Sequence, residues 1–280
     1  MAEITVAQIG KLRQQTGAGM MDCKKALTEA DGDMEVAIEW LRKKGTATAE
    51  KKSSRVTTEG VIARHLAADG KSGTLVEINC ETDFVAKNES FKEFCNEAAT
   101  ELTDNPETDL EEKRAKMVAE IGENVQFARH QSLSIDGNGA VAAYIHHGAK
   151  VGVLVAAETG KEETADSDAF RMLLKDLTLQ ITAASPSVVN RDELDQTVLE
   201  KEREITAEQF KNKPAQAIEK IVDGKMEKYF SEYCLVDQAF VKQGDLAVKD
   251  HIAAVGKELG DDAINVNGFL RFQVGETQED

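Results

Sequence analysis

The chain opens with apolar residues at helical spacing. Ile4, Ile9 and Leu12 form a short stripe, Thr16-Gly17-Ala18-Gly19 interrupts it, and Met21, Lys24, Lys25 and Leu27 continue as a second helix. Asp31-Gly32-Asp33 reads as a turn in which Asp33 caps a third helix that carries Val36, Ile38, Trp40 and Leu41 and ends at Gly45. Residues 1–45 thus read as a small three-helix unit whose own core is marginal at that length. Residues 46–58 are rich in Thr, Ala, Lys and Ser without apolar periodicity, which predicts a linker, helical in part.

The pattern then changes from helical to alternating. Thr74-Leu75-Val76-Glu77-Ile78 reads as a strand, followed by Thr82-Asp83-Phe84-Val85-Ala86-Lys87-Asn88 and by a helix containing Phe91, Phe94 and Ala98. Residues 60–102 align without a gap on residues 139–181, with identities at Gly60/Gly139, Ala63/Ala142, Lys71/Lys150, Gly73/Gly152, Leu75/Leu154, Val76/Val155, Ala86/Ala165 and Phe91/Phe170. Each copy reads as a β-hairpin feeding a helix, so the expected fold class is α+β, with two related subdomains, at 59–138 and 139–275, side by side. The repeat bears on Phe84. A large aromatic at a strand–helix junction ordinarily folds back into the core. Where the first copy has Thr82-Asp83-Phe84, however, the second has Lys161-Glu162-Glu163, and a glutamate at the equivalent point favours an exposed Phe84.

Asn190 with Glu193 has the form of a capping box for a helix to about Phe210, with Leu194, Val198 and Ile205 as its apolar stripe. Lys213-Pro214 breaks that helix, and a second runs through Ile218, Ile221, Val222 and Met226 to Tyr229. So narrow a stripe suits two helices packed mainly on each other, a protruding antiparallel helical hairpin inserted at about 190–232. The pairing is open to formation within one chain or between chains, and self-association is not predicted. Leu246, Ile252, Val255 and Leu259 mark a further helix; residues 268–274 form a last strand that closes the sheet, and 276–280 a polar tail.

Composition narrows the function classes. A net charge of −17 over 280 residues opposes a phosphate-tracking nucleic-acid binder and an anionic membrane surface. No apolar run approaches the ~20 residues of a membrane span, and the Met-Ala-Glu start lacks the marks of a secretory leader, so a cytoplasmic protein is expected. Cys23, Cys80, Cys95 and Cys234 are scattered, which predicts buried free thiols and neither a zinc site nor a disulfide frame.

Several chemical motifs fail on context. Gly70-Lys71-Ser72 resembles the end of a phosphate loop, but His65 stands where the pattern requires glycine, and Lys71 and Lys150 read as solvated turn lysines. Asn88-Glu89-Ser90 is a formal glycosylation site without a secretory context. His146-His147, taken as a strand pair, would put one ring inward and one outward, with no further ligand at useful spacing. Glu77, Glu81 and Asp83 offer carboxylates for acid–base work, and a hydrolase using Glu81 and Asp83 is a distant alternative, since no nucleophile or oxyanion site accompanies them.

Three segments resemble a known family. Residues 16–27 (Thr16-Gly17-Ala18-Gly19-Met20-Met21-Asp22-Cys23-Lys24-Lys25-Ala26-Leu27), residues 77–86 (Glu77-Ile78-Asn79-Cys80-Glu81-Thr82-Asp83-Phe84-Val85-Ala86) and His147-Gly148 with residues 151–155 are similar, in order, to the signatures of bacterial elongation factor Ts. The resemblance implies a guanine-nucleotide exchange factor that binds elongation factor Tu, GDP-bound or nucleotide-free, and performs no covalent chemistry. It implies no cofactor, no metal and no direct nucleic-acid contact. It further implies that a ubiquitin-associated-like N-terminal module docks through Met20, Met21 and Lys24. Thr82, Asp83, Phe84 and Val85 would form the segment that disturbs the partner's Mg²⁺ site, and His147 and Val241 would be further partner-facing residues. Two departures stand out: Lys242 occupies a position that is apolar in some members, and a C-terminal extension some members carry has no counterpart after Asp280, so its contact is not expected. A binding adapter without exchange activity is the alternative from another class.

Overall fold

Val61 and Ile62 are adjacent, both buried, and on opposite faces of one strand, and that double burial sets the architecture. The computed structural model describes residues 4–276, so residues 277–280 of the expected tail at 276–280 lie outside the described residues.

Three helices come first. α1 (Val6–Thr16) is opened by a capping box between Thr5 and Gln8 and closed by Gly17 in the left-handed conformation. α2 (Met20–Glu29) and α3 (Met34–Lys52) follow, the latter capped by Asp33. Ile9, Leu12, Cys23, Ala26, Leu27 and Ala37 bury between them.

The first repeat copy contains β1 (Glu59–Leu66), β2 (Ser72–Cys80), the single-turn α4 (Asp83–Ala86), α5 (Glu89–Asp104), α6 (Glu111–Ile121) and β3 (Val125–Ser134). The second contains β4 (Gly139–Ile145), β5 (Val151–Glu158), the single-turn α7 (Glu162–Ala165), α8 (Asp168–Ala184), α9 (Gln196–Gln209), α10 (Ala215–Tyr233), β6 (Ala239–Phe240), β7 (Gln243–Ala247), α11 (Val248–Leu259) and β8 (Asn265–Gln273). β1-β2-β3 and β4-β5-β8 form two antiparallel three-stranded sheets, so the repeat extends to a third strand whose first-copy member the periodicity did not reveal. The fold is α+β.

The two copies are stacked through their sheets, not merely adjacent. Val61, Ala63, Val76 and Ile78 face the helical layer with Phe91, Phe94 and Val118. Ile62 and Leu75 face the other way, onto Val141, Leu154, Leu270 and Phe272 of the second sheet. Val153 and Val155 in turn meet Phe170, Leu173 and Leu177. Helix, sheet, sheet and helix thus form four layers, and the central strands are apolar on both faces because both are covered. A local dyad is visible in the backbone bonds that join the sheets. Ile62 N–H donates to the Ala149 carbonyl and Val141 N–H to the Gly70 carbonyl, each at 2.8 Å. Within each copy, Ile135 and Val274, beyond the third strands, donate to the Lys71 and Lys150 carbonyls. Each acceptor in one copy is the repeat equivalent of the acceptor in the other.

Five expectations are corrected. The third helix does not stop at Gly45 but runs to Lys52, so only residues 53–58 remain of the predicted linker. Gly45 is an interior contact where α3 packs on α6: a Cβ there would lie at ordinary contact distance, 3.5 Å from the Ala115 carbonyl and 3.8 Å from Ala119 Cβ. The Asn190–Glu193 pairing closes a 3₁₀ turn, with Glu193 accepting from Val189 N–H and Asn190 Nδ2, and the helix itself starts after Asp195, whose carboxylate accepts from Thr197 N–H. Val198 and Ile205 are exposed; α9 turns Leu199 toward Met226 and Phe230 of α10, and buries Thr206 as well. Lys150 is not a free turn lysine but donates to Glu59 and to the Gly60 carbonyl, pinning one copy to the other. Glu276, expected in the tail, is paired with Arg129 and Arg271.

Candidate functional site

Thr82 leaves β2 in an extended conformation and starts α4, its hydroxyl oxygen accepting from Val85 N–H at 3.4 Å. Asn88 starts α5 two residues after α4 ends, its side chain accepting from Ser90 N–H. Between these caps lies one helical turn, too short to persist alone and held by its neighbours. Val85 and Ala86 are buried in the first helical core, whereas Phe84 is 81% exposed. The second copy repeats this geometry in α7, capped off by Ser167 at α8, with Thr164 buried where Val85 is and Glu163 exposed where Phe84 is. The exposure expected for Phe84 from the repeat is therefore observed.

The polar frame of this turn is specific. Asp83 pairs with Lys87 at 2.6 Å, and the hydrogen-bonded ammonium holds the Asp83 carboxyl below its ordinary range while the Lys87 ammonium titrates higher. Glu123, just beyond α6, accepts from Thr82 N–H at 2.9 Å and from the Thr82 hydroxyl at 2.7 Å. Sequence reasoning missed Glu123, although a signal was present. Gly122 ends α6 in the left-handed conformation and is followed by an acid; Gly260 ends α11 the same way and is followed by Asp261, which accepts from Gly160 and Lys161 N–H.

The carboxylates do not assemble into an acid–base site. Glu77 is fully buried, bonded to Arg129 and to Gly275 N–H. Glu81 accepts from Asn124 N–H and Arg55, and Asp83 holds Lys87. Three carboxylates with three separate partners offer no shared proton, which removes the ground for the hydrolase alternative.

The remaining candidates are distributed over the molecule. Met20 and Met21 are exposed on α2, Met21 at 76%, with Lys24 exposed one turn on from Met20 and Met21. Large apolar side chains in water on a helix otherwise well packed are the kind of feature that marks a contact surface. His146 and His147 lie in the turn after β4, both exposed, so the expected inward–outward pair on a strand is not formed. That turn packs at the start of β1, since Ala149 accepts from Ile62 N–H and Lys150 reaches Glu59, which faces Cys80 in the β1–β2 register. The His147 turn and the Phe84 turn therefore stand at the same end of β1. Val241 is 47% exposed just beyond β6. Its N–H donates to the buried Gln180 on α8, and the neighbouring Lys242 is tied to Asp176 at 2.5 Å. Lys242 thus anchors the loop to α8 and leaves Val241 as the outward apolar side chain. All four cysteines are buried free thiols, as expected, and burial pushes the Cys80 thiol up to about 12. Among the described residues, no helix is long and apolar enough to cross a membrane.

Comparison with known proteins adds a family to this geometry. The family model for Elongation factor TS matches residues 81–276, beginning one residue before Thr82. A Trichlorobacter lovleyi protein named elongation factor Ts is 44% identical, over 99% of this chain and 94% of its own length. A Clostridium novyi protein of the same name is 42% identical over the same shares. At that identity over nearly its whole length, the chain belongs to the elongation factor Ts family.

Proposed function

We propose that this chain binds elongation factor Tu carrying GDP and promotes release of the nucleotide by disturbing the site that holds Mg²⁺ and the phosphates, so that GTP can bind. The observation that carries the reading is the presentation of Phe84: an aromatic ring 81% exposed between buried neighbours, on a turn fixed at both ends, in a chain of this family. Exposing a phenyl ring to water is unfavourable, and a ring held out in this way is suited to burial in a partner. GDP bound through phosphate contacts and a bridging Mg²⁺ depends on near-ideal coordination at short distances, so an apolar wedge that shifts that shell weakens the site without competing for charge.

Asp83 and Phe84 form the intruding pair in this account, with Thr82 and Val85 fixing them from either side. The three-helix unit, ubiquitin-associated-like in character, docks on the GTPase domain through Met20, Met21 and Lys24. The His147 turn and Val241 add contacts from the second copy, and α9 with α10 forms a helical hairpin arm. The chain divides for this purpose into the N-terminal unit, a short linker, a first subdomain bearing Phe84 and a second bearing the arm. No bond is made or broken by the chain itself; exchange rests on binding energy alone, and no cofactor, nucleic acid or membrane takes part.

Linkage gives the reading a quantitative form. By whatever factor the chain loosens GDP on elongation factor Tu, GDP loosens the chain by the same factor. The test is release of fluorescent GDP from elongation factor Tu with and without this protein. Accelerated release, and weaker binding of the chain as GDP and Mg²⁺ are raised, are expected. Binding indifferent to GDP and Mg²⁺, with release unchanged, would identify an adapter and overturn the proposal.

A further inference from the structure

The Phe84 side chain is 81% exposed, so its direction follows from the backbone that carries it. α4 is a single turn whose start is governed by Thr82. Both polar functions of Thr82 are committed: its hydroxyl proton goes to Glu123 Oε1 at 2.7 Å, and its hydroxyl oxygen accepts Val85 N–H at 3.4 Å. Its backbone N–H goes to Glu123 Oε2 at 2.9 Å. One carboxylate therefore fixes both the position of Thr82 and the rotamer from which it caps α4, and charge-assisted bonds of this kind are the stronger class.

The loop that carries Glu123 also holds the segment leaving the N-terminal unit. Lys52, at the end of α3, donates to the Gly122 carbonyl. The fully buried Asn124 donates through Nδ2 to the carbonyls of Ser53, at 3.3 Å, and Arg55, at 2.8 Å. Its N–H donates to Glu81, which Arg55 also reaches. Residues 122–124 are thus a junction between α3 and the Phe84 turn. The second copy shows what is particular about the first. Asp261 accepts from three backbone N–H groups, of Gly160, Lys161 and Ala263, and from the Thr164 side chain inside α7, while α7 has no side-chain cap. Only the copy that displays an aromatic directs its carboxylate onto a capping side chain.

We infer that Glu123 is a positioning residue for nucleotide exchange: it sets the Thr82 cap so that Phe84 is presented in one direction to elongation factor Tu. This rests on the proposed function, and it assigns Glu123 no contact with the partner's nucleotide. Loss of the clamp should therefore leave docking intact and reduce the rate of the docked complex.

The experiment measures release of fluorescent GDP from elongation factor Tu against the concentration of the full chain. It compares wild type, Glu123→Ala, Phe84→Ala and the double variant, with Glu123→Gln as an isosteric substitute should the alanine variant not fold. For Glu123→Ala, the half-saturating concentration should stay within about twofold, while the maximal rate falls on the order of tenfold, as misplacement of a working group does. Glu123→Gln, which keeps one acceptor, should lie between it and wild type. In the Phe84→Ala background, Glu123→Ala should cause no further loss, because the two residues act as one unit. If Phe84→Ala slows release but Glu123→Ala or Glu123→Gln matches wild type, or if the losses multiply in the double variant, Glu123 has no positioning role and the wedge stands. If Phe84→Ala itself leaves release unchanged, the wedge and the positioning role fall together.

Discussion

Gly152 of β5 approaches Ile62 of β1 so closely that a Cβ added at Gly152 would lie 2.5 Å from Ile62 Cγ2 and 2.9 Å from Ile145 Cδ1. Its repeat equivalent, Gly73, would meet Leu66 Cδ2 of its own sheet at 2.5 Å and Leu154 Cδ2 of the facing sheet at 3.5 Å. The sheets close on the shared apolar layer at Gly152 because a side chain there would collide with Ile62 of the facing sheet. Gly152→Ala should therefore destabilise the fold by about 1–3 kcal/mol through overpacking. The urea midpoint should fall with the slope of the transition unchanged; a wild-type midpoint would show that the sheets are not in close contact there.

Phe91 and Phe170 are fully buried at equivalent points of the two helical layers. Replacing either by alanine should cost about 3–5 kcal/mol, the usual range for a buried phenyl ring. Because Ile62, Leu75, Leu154 and Leu270 join the copies in one apolar layer, both variants should shift a single transition of the sheet core. Two separated core transitions, each moved by one variant only, would contradict the stacked arrangement.

Buried thiols make stability fall at alkaline pH. An unfolded cysteine loses its proton near 9.0, whereas burial raises Cys80 to about 12 and Cys234 to about 11. Between those values the unfolded chain binds fewer protons than the folded one. The contribution is therefore complete below about pH 9 and is lost as pH rises toward 11 to 12. Denaturation midpoints taken at about pH 8 and about pH 10 should show wild type losing ~1 kcal/mol more than Cys80→Ala over that interval. Equal losses in the two proteins would remove Cys80 as a source of the dependence.

The local elements and the repeat could be read from the sequence, while the contacts between them could not. The β1–β2 hairpin, the Asp33 cap and the helix break at Pro214 are local features, and each is present in the fold. The identity pattern between the copies even forecast an exposed Phe84, because Glu163 marks an outward position. Gly45 misled because glycine at a helix end and glycine at a helix crossing look alike until the partner helix is known. Val198 and Ile205 misled for a similar reason: the face that α9 buries is chosen by α10, which prefers Leu199. Lys150 and Glu123 owe their roles to groups distant in the chain, Glu59 and Thr82, that only the stacked sheets and the α6–β3 loop bring near. Of the candidate site, the exposure of Phe84 was legible from the repeat, the methionines of α2 were named only through the family resemblance, and the support beneath Phe84 was not legible.

The most direct test of the wedge is Phe84→Ala. At 81% exposure the side chain contributes little packing, so the melting transition should stay within about 0.5 kcal/mol of wild type. Release of fluorescent GDP from elongation factor Tu, measured with saturating amounts of the folded variant, should nevertheless slow by at least about tenfold, roughly 1.4 kcal/mol of lost differential binding. A folded Phe84→Ala protein that releases GDP as fast as wild type would contradict the account.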